Sequence, residues 1–430
     1  MELDATQRQA VTACLDGNKR LVAVTGPAGT GKTSIMRYVY NALREGGYKV
    51  LVCAPTGKAA RRITEATGAP AKTIHMALQY PRPGDIDPKT GKALDTTTPA
   101  RGQRNPLDED IILADEYAMV SQELHRNLVN AMKPGSRICI FGDVHQLPPI
   151  ETDSKYKSEP SPFSTMLKKF NGYYLKTIHR QGEGSVIVSN GDRILNGFSP
   201  IQHDDFKLMF SSDNQIGQLI DRVMELTQAG IDFASLDAQI LTPIKISVIG
   251  SHALNQRLQQ ILEGEWADRT PIALPRHEWD AKWPTTVREG SKIIITKNLY
   301  AVAYENSDDM GVFNGETGIV LGLSDDGDAL RIDLGGRIAV IPYEITQVNY
   351  NGKTYTMQPW KDIQLAYAVT THKAQGSEFQ HIIYVMSRSA YRMLNRMNFY
   401  TAISRARKSV TVITDQDGLS VSLRTKQAAL

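Results

Sequence analysis

The run Val22-Ala23-Val24-Thr25-Gly26-Pro27-Ala28-Gly29-Thr30-Gly31-Lys32-Thr33-Ser34 limits the choice of fold more than any other part of the chain. An apolar, β-branched stretch leads into Gly-x-x-x-x-Gly-Lys-Thr, and the helix-compatible Ser34-Ile35-Met36-Arg37-Tyr38-Val39 follows. Strand, glycine turn and helix in that order belong to a parallel α/β sheet. The glycines let successive backbone N–H groups turn inward, and the positive end of the helix lies behind them, so the turn suits a polyphosphate. From Gly26, Pro27, Ala28, Gly29, Thr30, Gly31, Lys32, Thr33 and Ser34 we expect a nucleoside-triphosphate cradle. Lys32 brings a cation toward the β and γ phosphates, and the Thr33 hydroxyl can ligate Mg²⁺.

A chain of 430 residues exceeds what one hydrophobic core usually serves, so several domains are expected. Hydrophobic residues at 41% and charged residues at 22% fit an ordinary globular protein, and no apolar run has the length of a membrane span. The start, Met1-Glu2-Leu3-Asp4-Ala5-Thr6-Gln7, has neither the basic opening nor the apolar core of a signal peptide. Cys14, Cys53 and Cys139 lack metal-ligand spacing, so a cytoplasmic setting without a membrane is expected. A net charge of +3 is too mild to identify a polyanionic partner.

Apolar runs at 21–25, 49–54, 111–114 and 137–141 alternate with helical or polar segments, the pattern of a doubly wound sheet. Each ends in a polar cluster: the glycine loop, Ala54-Pro55-Thr56-Gly57-Lys58, Asp115-Glu116, and Gly142-Asp143-Val144-His145-Gln146. Ligands sit beyond the carboxyl ends of such strands, so the clusters should converge on the nucleotide. Asp115 is the expected metal-holding acid, through water, and Glu116 the residue that orients the hydrolytic water.

The segment from Gln79 to Asp110 reads differently, with Pro81, Pro83, Pro88, Pro99 and Pro106 and little apolar periodicity. Asp87-Pro88-Lys89-Thr90-Gly91-Lys92 suits the turn of a short β-ribbon with a basic tip, and a loop without a role fits the same residues equally well. Farther on, Leu175-Lys176-Thr177-Ile178-His179-Arg180 and Phe399-Tyr400-Thr401-Ala402-Ile403-Ser404-Arg405 each end an apolar segment in arginine. A guanidinium suits charge developing on a transferring phosphoryl group, so two separated arginines suggest an active site shared by two domains.

Adding Thr370-Thr371-His372-Lys373-Ala374-Gln375-Gly376-Ser377-Glu378, the motifs in their order resemble those of superfamily 1 helicases, most closely the RecD and phage Dda group of superfamily 1B. The resemblance implies two RecA-like P-loop motor domains, 1–76 with 110–168 and 169–265 with 364–430. The β-ribbon insertion at 77–109 is then the candidate wedge, with Tyr80 at its entrance as the pin. Residues 266–363, with Asn314-Gly315-Glu316-Thr317-Gly318 and several short strands, would be an SH3-like β-barrel insertion. Gln7 falls on the motif whose glutamine contacts adenine, Gln146 on the γ-phosphate sensor, Arg180 and Arg405 on the two motif arginines, and Glu378 on the acid near the nucleotide sugar. Pro55, Thr56, Lys58, Thr73, His75, Thr371, His372 and Lys373 are the candidates for a single-stranded DNA track, with an ordinary solvated side chain the alternative at each.

The implied activity is ATP- and Mg²⁺-dependent movement, 5′ to 3′, along single-stranded DNA with unwinding of forked duplex. A monomer working beside single-strand-binding or replisome proteins in replication, recombination or repair fits it. Relatives usually carry Asp-Glu-Ala-Ser, whereas Tyr117-Ala118 follows the acid pair here. That departure keeps open a nucleotide-dependent binding module with weak hydrolysis, and a translocase that remodels protein–DNA complexes without unwinding is the other rival.

Overall fold

The computed structural model describes residues 3–81, 85, 90, 94–151, 153–156, 158–177, 185–264, 268–277, 283, 285–348 and 354–426. The chain divides into two compact units, 1–181 with 348–353 and 182–347 with 354–430.

The first unit is built on six parallel strands: β1 Leu21–Thr25, β2 Val50–Ala54, β3 Ala71–Thr73, β4 Ile111–Ala114, β5 Arg137–Gly142 and β6 Tyr173–Tyr174, in the order β3-β2-β4-β5-β1-β6. Their runs are continuously apolar because helices cover both faces. Val22, Val24, Val52, Ile111, Leu113, Cys139 and Phe141 point into one core, with helices α1 Ala5–Leu15, α2 Lys32–Glu45 and α3 Gly57–Thr67. The alternate residues Ala23, Leu51, Cys53, Ile112, Ile138 and Ile140 enter a second core, closed by α4 Ile74–Ala77, α5 Gln122–Ala131 and α6 Pro162–Lys169.

The first sheet continues past residue 169. Tyr173 and Tyr174 pair with Val24 and Thr25, Leu175 N–H donates to the Thr25 carbonyl at 2.8 Å, and the Leu175 side chain lies in the α1–α2 core. The proposed ribbon tip, Asp87–Lys92, lies outside the described residues apart from Thr90. The foot of that insertion folds back on the first unit: Arg101 N–H reaches the Leu78 carbonyl at 3.1 Å and Leu107 N–H the Ala131 carbonyl at 2.7 Å. Tyr80, the candidate pin, is tied down as well, with its hydroxyl accepting from Asn127 Nδ2 at 2.7 Å.

The second unit carries another parallel sheet. Its strands are β7 Phe206–Phe210, β8 Ala238–Thr242, β20 Ala368–Thr370, β21 Phe379–Val385 and β22 Ala406–Thr414, ordered β20-β8-β21-β22-β7. Helices α7 Ile187–Leu195, α8 Gln215–Gln228, α9 Ser251–Leu262, α10 Arg396–Ile403 and α11 Gln416–Arg424 flank it. Inserted between α9 and β20 are the short pair β9 Ile272–Leu274 and β10 Thr285–Val287, the pair β17 Ile345–Val348 and β18 Thr354–Met357, and a seven-stranded antiparallel sheet. The larger sheet runs β13-β12-β16-β15-β14-β11-β19, from β11 Lys292–Ile295, β12 Leu299–Tyr304, β13 Ser307–Val312, β14 Thr317–Leu323, β15 Ala329–Asp333, β16 Ile338–Pro342 and β19 Ile363–Leu365. It is an antiparallel half-barrel, in keeping with the insertion of short strands expected there.

One apolar cluster, from Phe206 and Ile240 to Leu330 and Ile341, unites half-barrel and parallel sheet. At their junction Lys292 is wholly buried and donates from Nζ to the Ala238 carbonyl at 2.7 Å. Glu263 accepts there from the Ser291 and Tyr367 hydroxyls, each at 2.6 Å, and pairs with Arg288.

Candidate nucleotide and nucleic-acid sites

The glycine loop joins β1 to α2, with Gly29 and Gly31 in the left-handed region at φ 85° and 81°. A Cβ on Gly31 would lie 2.6 Å from Gln7 Nε2, and one on Gly26 would lie 2.7 Å from Thr30 Oγ1, so glycine is needed at both places. Gly31 caps the 14-residue α2 without a side-chain hydrogen bond, which leaves the helix's positive end facing the loop. Lys32 Nζ donates to the Gly26 and Pro27 carbonyls at 2.6 and 2.9 Å, holding the ammonium along the loop. Thr33 stands half-buried on the first turn.

The carboxyl ends of the neighbouring strands bring the acids. Asp115 follows β4, is 6% exposed, and accepts from the Glu116 N–H at 2.8 Å. Glu116 has φ 50° and ψ 37°, a left-handed conformation uncommon for a residue with a side chain and of the kind that gathers at functional sites. Tyr117 then turns inward, wholly buried, with its hydroxyl 2.8 Å from His125 Nδ1 and its ring against Phe163. Burial pushes the Tyr117 phenol pKa up, with a smaller contribution from Cys53, and burial followed by the Arg126 charge pushes His125 down. Tyr117 therefore keeps its proton beside a neutral imidazole. The residue that departs from its relatives anchors the turn behind Glu116 from inside the core.

After β5, Asp143 is fully buried and accepts from the His145 N–H at 3.0 Å and from Gln146 Nε2 at 3.4 Å. Gln146 is 4% exposed, and among the described residues no donor reaches its Oε1. A buried acceptor in that condition is costly unless water or a ligand supplies the hydrogen.

Gln7 does not present an amide to a base edge here. It is wholly buried; Oε1 accepts from the Asp4 N–H at 3.0 Å, and Nε2 donates to the Thr30 carbonyl at 3.1 Å. With the Asp4 carboxylate accepting from the Gln7 N–H, this is a capping box on α1 whose side chain also braces the glycine loop. The Asp-x-x-Gln spacing was the available sequence signal.

The candidate track on the first unit divides. Thr56 and Thr73 spend their hydroxyls capping α3 and α4, accepting from Ala59 and Met76 N–H groups. Pro55 and Lys58 are half-buried and His75 is exposed, its ring 5.0 Å from that of Tyr80. On the second unit Thr371 is wholly buried, its hydroxyl donating to the Thr242 carbonyl at 3.3 Å, so its side chain is closed to a ligand in this structure. Burial holds the His372 imidazole below its ordinary pKa, and Lys373 Nζ donates to Gln364 Oε1 at 3.3 Å.

Arg180 lies outside the described residues. Arg405 is 2% exposed and donates within its own unit through long bonds to the Thr401 and Ser377 carbonyls and the Ser404 hydroxyl, at 3.3, 3.4 and 3.2 Å. Glu378 receives two bonds from Arg407, at 3.2 and 2.8 Å. That pair is 29 positions apart in the chain and left no mark in the sequence pattern. Among the described residues no cluster of three or more His, Cys, Asp or Glu forms a metal site, and no helix is long and apolar enough to cross a membrane.

Comparison with known proteins agrees with this arrangement. Residues 2–199 match the AAA domain family and residues 365–413 the UvrD-like helicase C-terminal domain. The chain is 30% identical over 391 residues to the ATP-dependent RecD2 DNA helicase of Deinococcus radiodurans, a match covering 90% of this chain and 46% of that protein. It is 24% identical to the RecBCD enzyme subunit RecD of Mycobacterium tuberculosis, covering 97% of this chain and 70% of the subunit. The chain thus spans a little under half the length of the RecD2 relative. Among solved structures, Pif1 helicases at forked DNA superimpose with a TM-score of 0.56 at 20% identity, covering 96% of this chain and 92% of theirs. Bacteroides Pif1 bound to single-stranded DNA gives 0.54 at 19% identity with the same coverage. Two RecA-like parallel sheets, a phosphate loop with its acid pair, and an inserted antiparallel half-barrel agree with the sequence likeness to the RecD proteins and, in fold, with the Pif1 structures.

Proposed function

We propose that the chain is an ATP-dependent DNA helicase that moves 5′ to 3′ on single-stranded DNA and opens forked duplex. The observation that carries the reading is the first unit's cradle: an uncapped helix end behind glycines that admit no Cβ, with Lys32, Asp115, Glu116 and the unmatched Gln146 acceptor on adjoining strand ends. The hard oxygen donors Thr33 and Asp115 are of the kind Mg²⁺ selects, and when bound the ion neutralises charge on the phosphates. Glu116 orients the attacking water, Gln146 Oε1 accepts a hydrogen bond from it, and Lys32 exchanges carbonyl partners for phosphate oxygens.

Arg405 is our candidate for the guanidinium that meets charge on the transferring phosphoryl group; its three long bonds are weak enough to give up for charge-assisted ones. Lys58, His75, His372 and Lys373 are the residues we assign to the DNA track, with Pro55, Thr56, Thr73 and Thr371 shaping it. The burial of Tyr117 counts against the weak-hydrolysis rival, because that side chain turns into the core against His125 and Phe163. Unwinding of 5′-tailed and 3′-tailed DNA and RNA duplexes tests the proposal. We expect opening of the 5′-tailed DNA, abolished by Lys32→Ala; hydrolysis on DNA that leaves a naked fork closed would favour the remodelling translocase.

A further inference from the structure

Between β8 and α9 the chain runs Pro243-Ile244-Lys245-Ile246-Ser247-Val248-Ile249-Gly250, and its burial alternates in a way the fold does not require. Ile249 is 3% exposed and Ile244 packs on the core, whereas Ile246 and Val248 are 70% and 71% exposed. Single exposed aliphatics are ordinary on protein surfaces; two at the tip of one braced turn are a presented apolar edge.

The brace is backbone and side chain together. Thr242 Oγ1 donates to the Ile249 carbonyl at 2.7 Å, Gly250 N–H to Ser247 at 3.0 Å, Ser251 N–H to Ile244 at 3.1 Å and His252 N–H to Lys245 at 3.2 Å. A Cβ on Gly250 would fall 2.5 Å from the Lys245 carbonyl oxygen, so the turn closes only around glycine. The first N–H groups of α9 are thus consumed in fixing the tip, and α9 itself offers no anion site there.

The turn leaves the carboxyl end of β8, beside β20, whose continuation holds His372 and Lys373; the Thr371 N–H donates to the Thr242 carbonyl at 2.9 Å. Ser251 and His252 at the foot of the turn line one concavity with Lys373 and Arg276. That concavity has room for about one water, ≈ 30 Å³, so a nucleobase cannot enter it and would lie on its rim.

We propose that Ile246 and Val248 form an aliphatic clasp that rests on the bases of single-stranded nucleic acid while the neighbouring cations hold its phosphates. The inference rests on the nucleic-acid reading above and adds a contact that ignores base identity. Apolar side chains wedge against unstacked bases in the same way in other nucleic-acid complexes.

The test uses the full chain, oligothymidine and an abasic strand of equal length, with Ile246→Ser/Val248→Ser and the conservative Ile246→Val/Val248→Ile. We expect the serine pair to weaken oligothymidine binding about tenfold, at the low end of what base contacts supply. The slope of affinity against salt and the melting temperature stay unchanged, the abasic strand binds both proteins alike, and the conservative pair restores binding. Equal loss on the abasic strand, or no loss on oligothymidine, overturns the clasp, the second result assigning the tip to a protein partner. Failure of the unaltered protein to bind either strand overturns the nucleic-acid reading itself.

Discussion

Replacing Gln7 by alanine separates a brace from a base reader. The side chain is wholly buried, and its removal leaves the Thr30 carbonyl and the Asp4 N–H without their partners. An unmet buried group costs about 1–3 kcal/mol, and the Asp4 N–H is only part-buried, so a loss of about 2–4 kcal/mol in urea unfolding of the first unit is expected. Because Thr30 lies in the phosphate loop, about 1.4 kcal/mol of that loss falling on loop order lowers nucleotide affinity about tenfold. A brace acts on phosphates, so fluorescent ATP and GTP analogues should weaken by the same factor. Gly31→Ala supplies an internal check, since its Cβ would meet Gln7 Nε2 at 2.6 Å and its effect should shrink once Gln7 is alanine. Loss of ATP affinity with GTP affinity intact would refute the reasoning and return Gln7 to the base edge.

Acid should weaken the turn behind Glu116. His125 titrates below its ordinary value in the fold, so its stabilising contribution is present above the unfolded value of about 6.5 and declines as pH falls through that value toward the folded one. Hydrolysis measured from pH 8 to 5 should fall with it, and His125→Gln should flatten that limb; an unchanged profile would remove the linkage. Tyr117→Phe forfeits one hydrogen bond, worth about 1 kcal/mol in melting experiments, and should leave the hydrolysis rate within about twofold at pH 8. Glu263→Ala strands the Arg288 charge and two hydroxyls at the half-barrel junction, so a loss of about 3–5 kcal/mol is expected in urea melts. A loss under 1 kcal/mol would show that the apolar core alone joins the two sheets.

The motor folds were legible where physics leaves few alternatives. Buried parallel strands must be apolar on both faces, so β1, β2, β4 and β5 announced themselves within a residue of their ends. A phosphate loop needs glycine where backbone turns left-handed, so Gly29 and Gly31 stood out. What stayed hidden depends on three-dimensional partners. A two-residue strand such as Tyr173–Tyr174 carries no period, and only its pairing with Val24 and Thr25 reveals it as part of the first sheet. Whether short antiparallel strands close into a barrel depends on their stagger, which alternation does not encode. The Tyr117–His125 and Glu378–Arg407 contacts join positions no local pattern relates. Thr56, Thr73 and Thr371 look alike as phosphate ligands in sequence, and only their neighbours reveal two helix caps and a buried hydroxyl.

The most direct test of the motor is single-turnover ATP hydrolysis at saturating single-stranded DNA, comparing the unaltered chain with Arg405→Lys, which keeps the charge and loses the planar fork. We predict that hydrolysis falls by at least about 10²-fold while ATP affinity stays within a few fold, as expected of a guanidinium that acts on the transferring phosphoryl group. An unchanged rate would contradict the account, because Arg405 would then have no part in the chemistry at the glycine cradle.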